Sequence, residues 1–214
     1  MRFLIANFFI ILFFSLNFLV PKVFAGENKF ITIINPVRGN DFFQLKDEKP
    51  LNNVKKEWDV IKEKNLSATW LIRPDALGDS KIVDFFKEMP ETQEKGLFME
   101  VTPTWADFAN VAYHQNKNWH SAGTVFLTGY LLEERQKLID SAFEEFKKAF
   151  GIYPKSVGAW WIDAGSLSYM REKYGILVNM DVADQYSTDS YQVWGQYFSP
   201  PFYPAKRNAL VPAS

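Results

Sequence analysis

Short apolar segments rich in β-branched residues alternate along this chain with amphipathic segments of helical period. The predicted strands cover residues 30–35, 67–73, 96–102, 155–162 and 176–182. The predicted helices cover about 51–65, 133–150 and 166–174, and one more is capped by Asp79 or Ser80. Because crossovers of this length join parallel strands, this order predicts a parallel sheet with helices outside it. A closed (β/α) barrel and an open doubly wound sheet both fit.

The number of predicted strands is small for a barrel. Without a 25-residue leader, 189 of the 214 residues remain, whereas a complete eightfold barrel takes about 250 residues. No glycine-rich phosphate loop follows the first strand, which disfavours a nucleotide-binding sheet. A bare parallel edge would favour aggregation. We therefore expect residues 26–214 to be one incomplete (β/α) domain; the alternative is an open sheet whose edge is covered.

The first 25 residues have the pattern of a secretory signal peptide. Arg2 is followed by an almost wholly apolar run to Val20, and small residues precede a predicted cut after Ala25. The pattern predicts a secreted or extracytoplasmic chain associated with the cell envelope. The alternative is an uncleaved anchor, since 18 apolar residues nearly span a bilayer, and only then would a membrane be a partner.

Charge and composition exclude some partners and permit others. The net charge is −1 and no Lys/Arg cluster is present, so nucleic acid is a poor partner. The chain has no cysteine and therefore no disulfide. All seven tryptophans and nine tyrosines follow the leader, which suits a polysaccharide or oligosaccharide surface and equally suits a large core.

Charged residues follow the predicted strands, at the edge where parallel α/β folds bind ligands. They include Arg38, Asp41, Arg73, Glu100 and Asp163. Carboxylates there could cleave a glycosidic bond as an acid–base or acid–nucleophile pair, or could hold a divalent metal. Alternatively, acids at strand ends cap the next helix or face water.

Glu100 differs from the other acids because it shares one face of its predicted strand with Phe98 and Thr102. If that face points into the fold, Glu100 needs a partner, and Arg73 could be that partner. A structural ion pair and a catalytic role are both open for this residue.

The two histidines, His114 and His120, fall in a predicted loop over 103–129. With Asp107 nearby they could be ligands for zinc or a similar metal. Alternatively, they are loop residues that hydrogen-bond to backbone or to a substrate hydroxyl.

Trp160 and Trp161 are adjacent in a predicted strand, so their side chains should point to opposite faces. One would then lie between sheet and helices, and the other inside a barrel or at its mouth.

Several segments together resemble the polysaccharide deacetylase (NodB-homology) superfamily. These are "SATWLIRPDAL", "GLFMEVTP" and the stretch "AFGIYPKSVGAWWID" with the helix that follows it. The resemblance implies a deformed seven-stranded (β/α) barrel. It also implies a hydrolase that removes acetyl groups from glycans with a divalent metal held by an aspartate and two histidines. The usual metal-binding motifs are replaced here by "INPVRGND", "EVTPTWAD" and "WWIDAG".

The sequence therefore predicts a secreted, polysaccharide deacetylase-like hydrolase of carbon–nitrogen bonds that acts on acetylated glycan. The alternatives are a catalytically silent glycan-binding domain and a glycosidase with two carboxylates. The predicted site residues are Asp41, Glu100 and Asp163 as metal ligands or acid and base, Arg38 and Arg73 for substrate orientation, Trp105 and Trp161 as sugar platforms, and His114 and His120 as metal ligands.

Overall fold

The computed structural model describes residues 32–43, 49–118, 120–180 and 201–213. The chain divides into Met1–Thr32 and Ile33–Ser214, and every element below belongs to the second part. The predicted signal peptide lies outside the described residues. Within the described ranges, no helix is both long and apolar enough to span a bilayer.

Five parallel strands form one curled sheet with the shape of a half-barrel. Their order in space is their order along the chain: β1 (Ile34–Val37), β2 (Ala68–Ile72), β3 (Gln93–Phe98), β4 (Ser156–Gly158) and β5 (Val178–Met180). This arrangement confirms the prediction of an α/β barrel-like fold. The finer expectation of a seven-stranded deformed barrel stays a prediction. A two-stranded antiparallel ribbon, β6 (Pro204–Ala205) and β7 (Asn208–Pro212), follows later in the chain.

Helices occupy the connections between the strands. They are α1 (Pro50–Glu63), α2 (Pro74–Leu77), α3 (Ser80–Lys87), α4 (Pro103–Phe108), α5 (Ala122–Val125), α6 (Leu132–Phe150) and α7 (Ala164–Tyr174), with a 3₁₀ turn at Leu127–Gly129. As predicted, the Asp79 side chain caps α3 by accepting from the Lys81 N–H. Helices α6 and α7 end at Gly151 and Gly175, whose φ values of 78° and 72° are the left-handed conformation that favours glycine.

Two of the differences between predicted and observed segments bear on the site. The prediction of a long loop over 103–129 was wrong, because α4, α5 and the 3₁₀ turn lie there. Helix α4 begins with Pro103 in its first position, and the Thr102 hydroxyl oxygen accepts from the Trp105 N–H. Threonine followed by proline is a local start signal for a helix. Strand β3 ends at Phe98, so Glu100 lies just past the strand.

The sheet carries a core on each face. On the convex side, Trp70, Ile72 and Leu97 pack with the helices in the main cluster. On the concave side, a smaller cluster contains Leu71, Phe98, Val125, Phe126 and Trp160. Successive residues of a strand point to opposite faces, and Leu97 and Phe98 therefore belong to different clusters.

Leu71 fills the concave side of the sheet because two neighbouring strands carry glycine beneath it. A Cβ at Gly96 would lie 2.8 Å from the Leu71 Cδ2 atom, and one at Gly158 would collide with the Leu71 Cδ1 atom. The missing side chains let Leu71 lie close to the backbone of β3 and β4.

Candidate functional site

A buried network of charges joins the carboxyl ends of β1, β2 and β3. Arg38 follows β1, Arg73 follows β2, and Glu100 follows β3. The side chains of Arg73 and Glu100 are completely buried, and the Arg73 Nη1 donates to Glu100 Oε2 at 3.1 Å. The predicted partner of Glu100 is thus the observed one.

Arg73 also binds Asp75 in the first turn of α2 and Asp41 in the loop after β1. Its Nε and Nη2 donate to the two oxygens of Asp75 at 2.6 and 2.8 Å, and Nη2 also donates to the Asp41 carbonyl at 2.7 Å. Burial by itself lowers the pKa of Arg73, but the hydrogen bond and charge of Asp75 and the charge of Glu100 raise it above its usual value. Arg73 is therefore a permanent cation inside the fold.

Glu100 lies between two arginines. The Arg38 Nε donates to Glu100 Oε2 at 2.9 Å, and the Arg38 Nη2 donates to Oε1 at 3.2 Å. Together with the Arg73 contact, both carboxylate oxygens of Glu100 accept from guanidinium groups. The Arg38 side chain is 31% exposed, so it connects the buried network to the surface.

The loop after β1 is held by the same network. The backbone N–H groups of Gly39 and Asp41 donate to Asp75 at 3.3 and 3.0 Å. The carboxylate of Asp41 accepts from the N–H and hydroxyl of Thr104, both at 2.9 Å. Asp41 therefore binds the first turn of α4, which is the capping role considered for acids at strand ends.

An open cleft of about 490 Å³ lies beside this loop. Its lining includes Asn40, Asp41, Asp75, Thr104 and Phe108. The cleft places the carboxyl edge of the sheet in contact with solvent.

Asp163 lies apart from the network. Its carboxylate accepts from the N–H and hydroxyl of Ser166 at 3.0 and 2.6 Å and forms a 3.5 Å ion pair with Arg135. These contacts make it the N-cap of α7. In the part of the chain that the structure describes, no hydrogen bond or ion pair joins Asp163 to Arg73, the cation that binds Asp75 and Glu100.

The tryptophans occupy positions that differ from the predicted ones. Trp105 is completely buried, and its indole N–H donates to the Leu138 carbonyl at 2.9 Å and to Ser141 at 3.1 Å. It is part of the core against α6, so it presents no ring face to a sugar. The sequence missed this because its burial depends on α6, which is distant along the chain.

Trp160 and Trp161 lie together instead of on opposite faces. Strand β4 ends at Gly158, so strand alternation does not extend to them. Trp160 is buried and its ring meets Phe98 edge-on at 5.5 Å, while Trp161 is partly exposed and packs against the same concave cluster. The Arg38 guanidinium lies 6.0 Å from the Trp160 ring centroid. Arg38 and Trp160 are therefore neighbours, and Trp161 is the next residue along the chain.

The histidines do not join the carboxylates. His114 is exposed and stacks on Tyr130 with ring centroids 4.3 Å apart, and His120 is also exposed. Among the described residues, no three side chains of His, Asp or Glu lie close enough together to hold a metal ion. The metal-binding role of His114 and His120 stays a prediction.

No protein-family model, curated protein or solved structure matches this chain. The resemblance to polysaccharide deacetylases therefore stays a prediction. The residues and their geometry carry the functional interpretation.

Sequence reasoning missed two partners in the site. Asp75 follows Arg73 by two positions, and the acid–arginine spacing in "RPD" was a usable signal. Tyr113, whose ring centroid lies 6.3 Å from that of Phe42, gave no signal, because the sequence does not show that the segment after α4 packs against the loop after β1.

Proposed function

We propose that this chain is a glycan-binding domain on an α/β barrel-like frame. The oligosaccharide would lie across the carboxyl edge of the sheet, at Arg38 and Trp161. The main support is that both Glu100 oxygens are occupied by guanidinium donors, whereas Arg38 and Trp161 reach solvent. Guanidinium N–H groups can donate to sugar hydroxyls, and indole faces offer apolar contact with a polar edge.

The contacts of the carboxylates favour binding over hydrolysis. A glycosidase needs two carboxyl groups on either side of the scissile bond, but Glu100 is bound by arginines, and Asp41 and Asp163 cap helices. A metal-dependent deacetylase needs ligands that converge on one ion. The proposed function therefore requires neither an acid–base pair nor a metal.

The proposed ligand is a polysaccharide or oligosaccharide of the cell envelope or the environment. This follows from the leader-like first 25 residues, which predict an extracytoplasmic location. The net charge of −1 agrees with a ligand other than nucleic acid.

Calorimetric titration of the full chain with a panel of neutral oligosaccharides tests the proposal. The panel would contain N-acetylated chito-, cello- and xylo-oligosaccharides. We expect saturable binding, with no release of acetate and no new reducing ends. Arg38→Ala and Trp161→Ala should each weaken binding about tenfold, which corresponds to about 1.4 kcal/mol.

Trp58→Ala is the matched control, because Trp58 is also a half-exposed tryptophan. It lies near Gln93, the first residue of β3, and therefore at the amino edge of the sheet. Its affinity should equal that of the unchanged chain. Release of acetate would replace the proposal with the deacetylase predicted by the resemblance, and new reducing ends would replace it with a glycosidase. Absence of binding across the panel would reject it.

A further inference from the structure

Tyr113 lies beside Phe42, the residue after Asp41 in the loop that the charged network holds. Its hydroxyl oxygen is buried, and among the described residues it has no hydrogen-bond partner. Burying a hydroxyl without a partner costs stability, and most buried polar side chains in proteins are paired. An unpaired buried group of this kind calls for an explanation.

The neighbouring tyrosine shows the usual arrangement. The Tyr130 hydroxyl donates to the Thr124 carbonyl at 2.8 Å and accepts from the His114 N–H at 3.4 Å. Both tyrosines are in the same part of the fold, but only Tyr130 is tied into it by its hydroxyl. The Tyr113 hydroxyl can therefore donate a hydrogen bond to a ligand, whereas the Tyr130 hydroxyl already donates to Thr124.

The surroundings of Tyr113 keep its hydroxyl group protonated, so that it can donate a hydrogen bond. Burial, followed by the nearby Tyr130 and the charges of Asp41 and Glu100, raises the pKa of Tyr113, and the Arg73 charge only partly opposes this. The phenol therefore keeps its proton at neutral pH. The Tyr113 ring lies beside that of Phe42, which follows Asp41, and the Asp41 carbonyl accepts from Arg73.

The adjacent backbone is strained. The Phe42 ring lies against the Tyr113 ring, with centroids 6.3 Å apart. Phe42 has a φ of 62°, a left-handed conformation that is unfavourable for a bulky side chain. Strain of this kind concentrates at ligand-binding segments, and the strained Phe42 is the residue whose ring lies beside that of Tyr113.

The charges of the network indicate which sugars can approach. Arg38 and Arg73 pair with Asp75 and Glu100, and the Asp41 carboxylate is bound by Thr104 in the adjoining loop. Among these described residues, two cations and three anions leave one net negative charge. An acidic sugar would be repelled by that charge, because carboxylates already balance the charges of both arginines. A neutral sugar has no such penalty.

We propose that the Tyr113 hydroxyl is the hydrogen-bond donor kept for the ligand, and that the ligand is a neutral glycan rather than an acidic one. This inference rests on the proposed glycan-binding function. On binding, the ligand displaces the Phe42 ring and accepts from the Tyr113 O–H through a sugar hydroxyl or acetyl oxygen.

The test compares Tyr113→Phe with Tyr130→Phe in the full chain, by calorimetry with the neutral panel and by thermal unfolding. Tyr113→Phe should weaken neutral oligosaccharide binding about five- to tenfold, because one hydrogen bond is lost. Its melting temperature should stay equal or rise, because no internal hydrogen bond is lost. Tyr130→Phe should have a lower melting temperature and unchanged affinity.

The second arm compares a neutral chito-oligosaccharide with an oligogalacturonate of equal length. We expect the unchanged chain to bind the neutral sugar more tightly. Tighter binding of oligogalacturonate, or unchanged affinity in Tyr113→Phe with a lower melting temperature, would overturn this inference and leave glycan binding standing. Failure of the unchanged chain to bind any oligosaccharide would overturn both.

Discussion

The Arg73 guanidinium donates two hydrogen bonds, of 2.6 and 2.8 Å, to the Asp75 carboxylate. Only one residue separates the two in the chain. The intervening Pro74 is the first residue of α2. Because the arginine also reaches Glu100 and the Asp41 carbonyl, this local pair anchors the ends of three strands. The carboxyl edge of the sheet is thus held by ion pairs.

Glu100→Gln should show how much the fold depends on this network. The change removes the charge that both arginines share, and a buried guanidinium without its counter-charge is costly. We expect the free energy of unfolding to fall by about 3 kcal/mol, as measured by urea denaturation. Glu94→Gln is the control, because Glu94 is exposed and its contact is a 3.3 Å bond from Thr69. Equal stability of the two variants would contradict a structural role for the network.

Asp140 should make part of the stability depend on pH. Burial raises the pKa of Asp140, but hydrogen bonds from Lys173, Tyr174 and Tyr169 outweigh this and hold it below its usual value. Asp140→Asn should therefore cost about 1 kcal/mol or less at pH 7, since the group is partly exposed and screened.

The sign of this pH dependence follows from the lowered pKa. The stabilisation by Asp140 is complete above the unfolded-state value of about 3.9 and disappears as the pH falls through the folded-state value. The difference in melting temperature between the unchanged chain and Asp140→Asn should shrink below about pH 4. Asp84→Asn is the control, because its pair with Lys87 is exposed and 4.0 Å long. A constant difference down to pH 2 would refute the assignment.

Trp105→Phe should mainly lower stability, whereas Trp161→Phe should mainly lower glycan affinity. Trp105→Phe loses the indole bonds to Leu138 and Ser141 in the core and should reduce the free energy of unfolding by about 2 kcal/mol. Its glycan affinity should not change. Trp161→Phe should weaken glycan binding with a smaller loss of stability, because its ring is partly exposed. Denaturation and calorimetry on both variants check this, and reversed effects would restore Trp105 as the sugar platform.

Gly158→Ala should disturb the concave core. The added methyl group would collide with Leu71 and lie 3.0 Å from the Met180 Cβ, and overpacking typically costs about 1–3 kcal/mol. Gly123→Ala, where nothing lies within 4 Å of the new Cβ, should be neutral or slightly stabilising. Adding Leu71→Ala to Gly158→Ala should remove the overpacking part of the loss. A double variant whose losses simply add would argue against the contact.

Local signals in the sequence predicted the long helix well. The apolar stripe of Leu138, Ala142, Phe143 and Phe146 is buried, and Gly151 ends the helix. Both features depend on residues within one or two helical turns, so the sequence contains all that is needed to place them.

Features that depend on distant packing were not predicted. A tryptophan such as Trp105 suits both a core and a sugar site, so its residue type does not distinguish the two. The packing of α6 against it places it in the core. Asp163 illustrates the opposite case, because its contact with Ser166 is a local capping pattern that could have been weighted more heavily. The need of a buried carboxylate for a cationic partner did pair Glu100 with Arg73, although Glu100 lies past the end of β3.

The all-parallel order of the sheet also governs how this chain reaches its folded state. Leu97 pairs with Val157 across the whole of α4, α5 and α6, and none of the five strands meets its neighbour through a hairpin. Contact order is therefore high throughout the sheet, and the entropy of loop closure is lost before any ladder forms. Helices such as α6 can form early, while strand edges stay open to other chains until the slow final assembly.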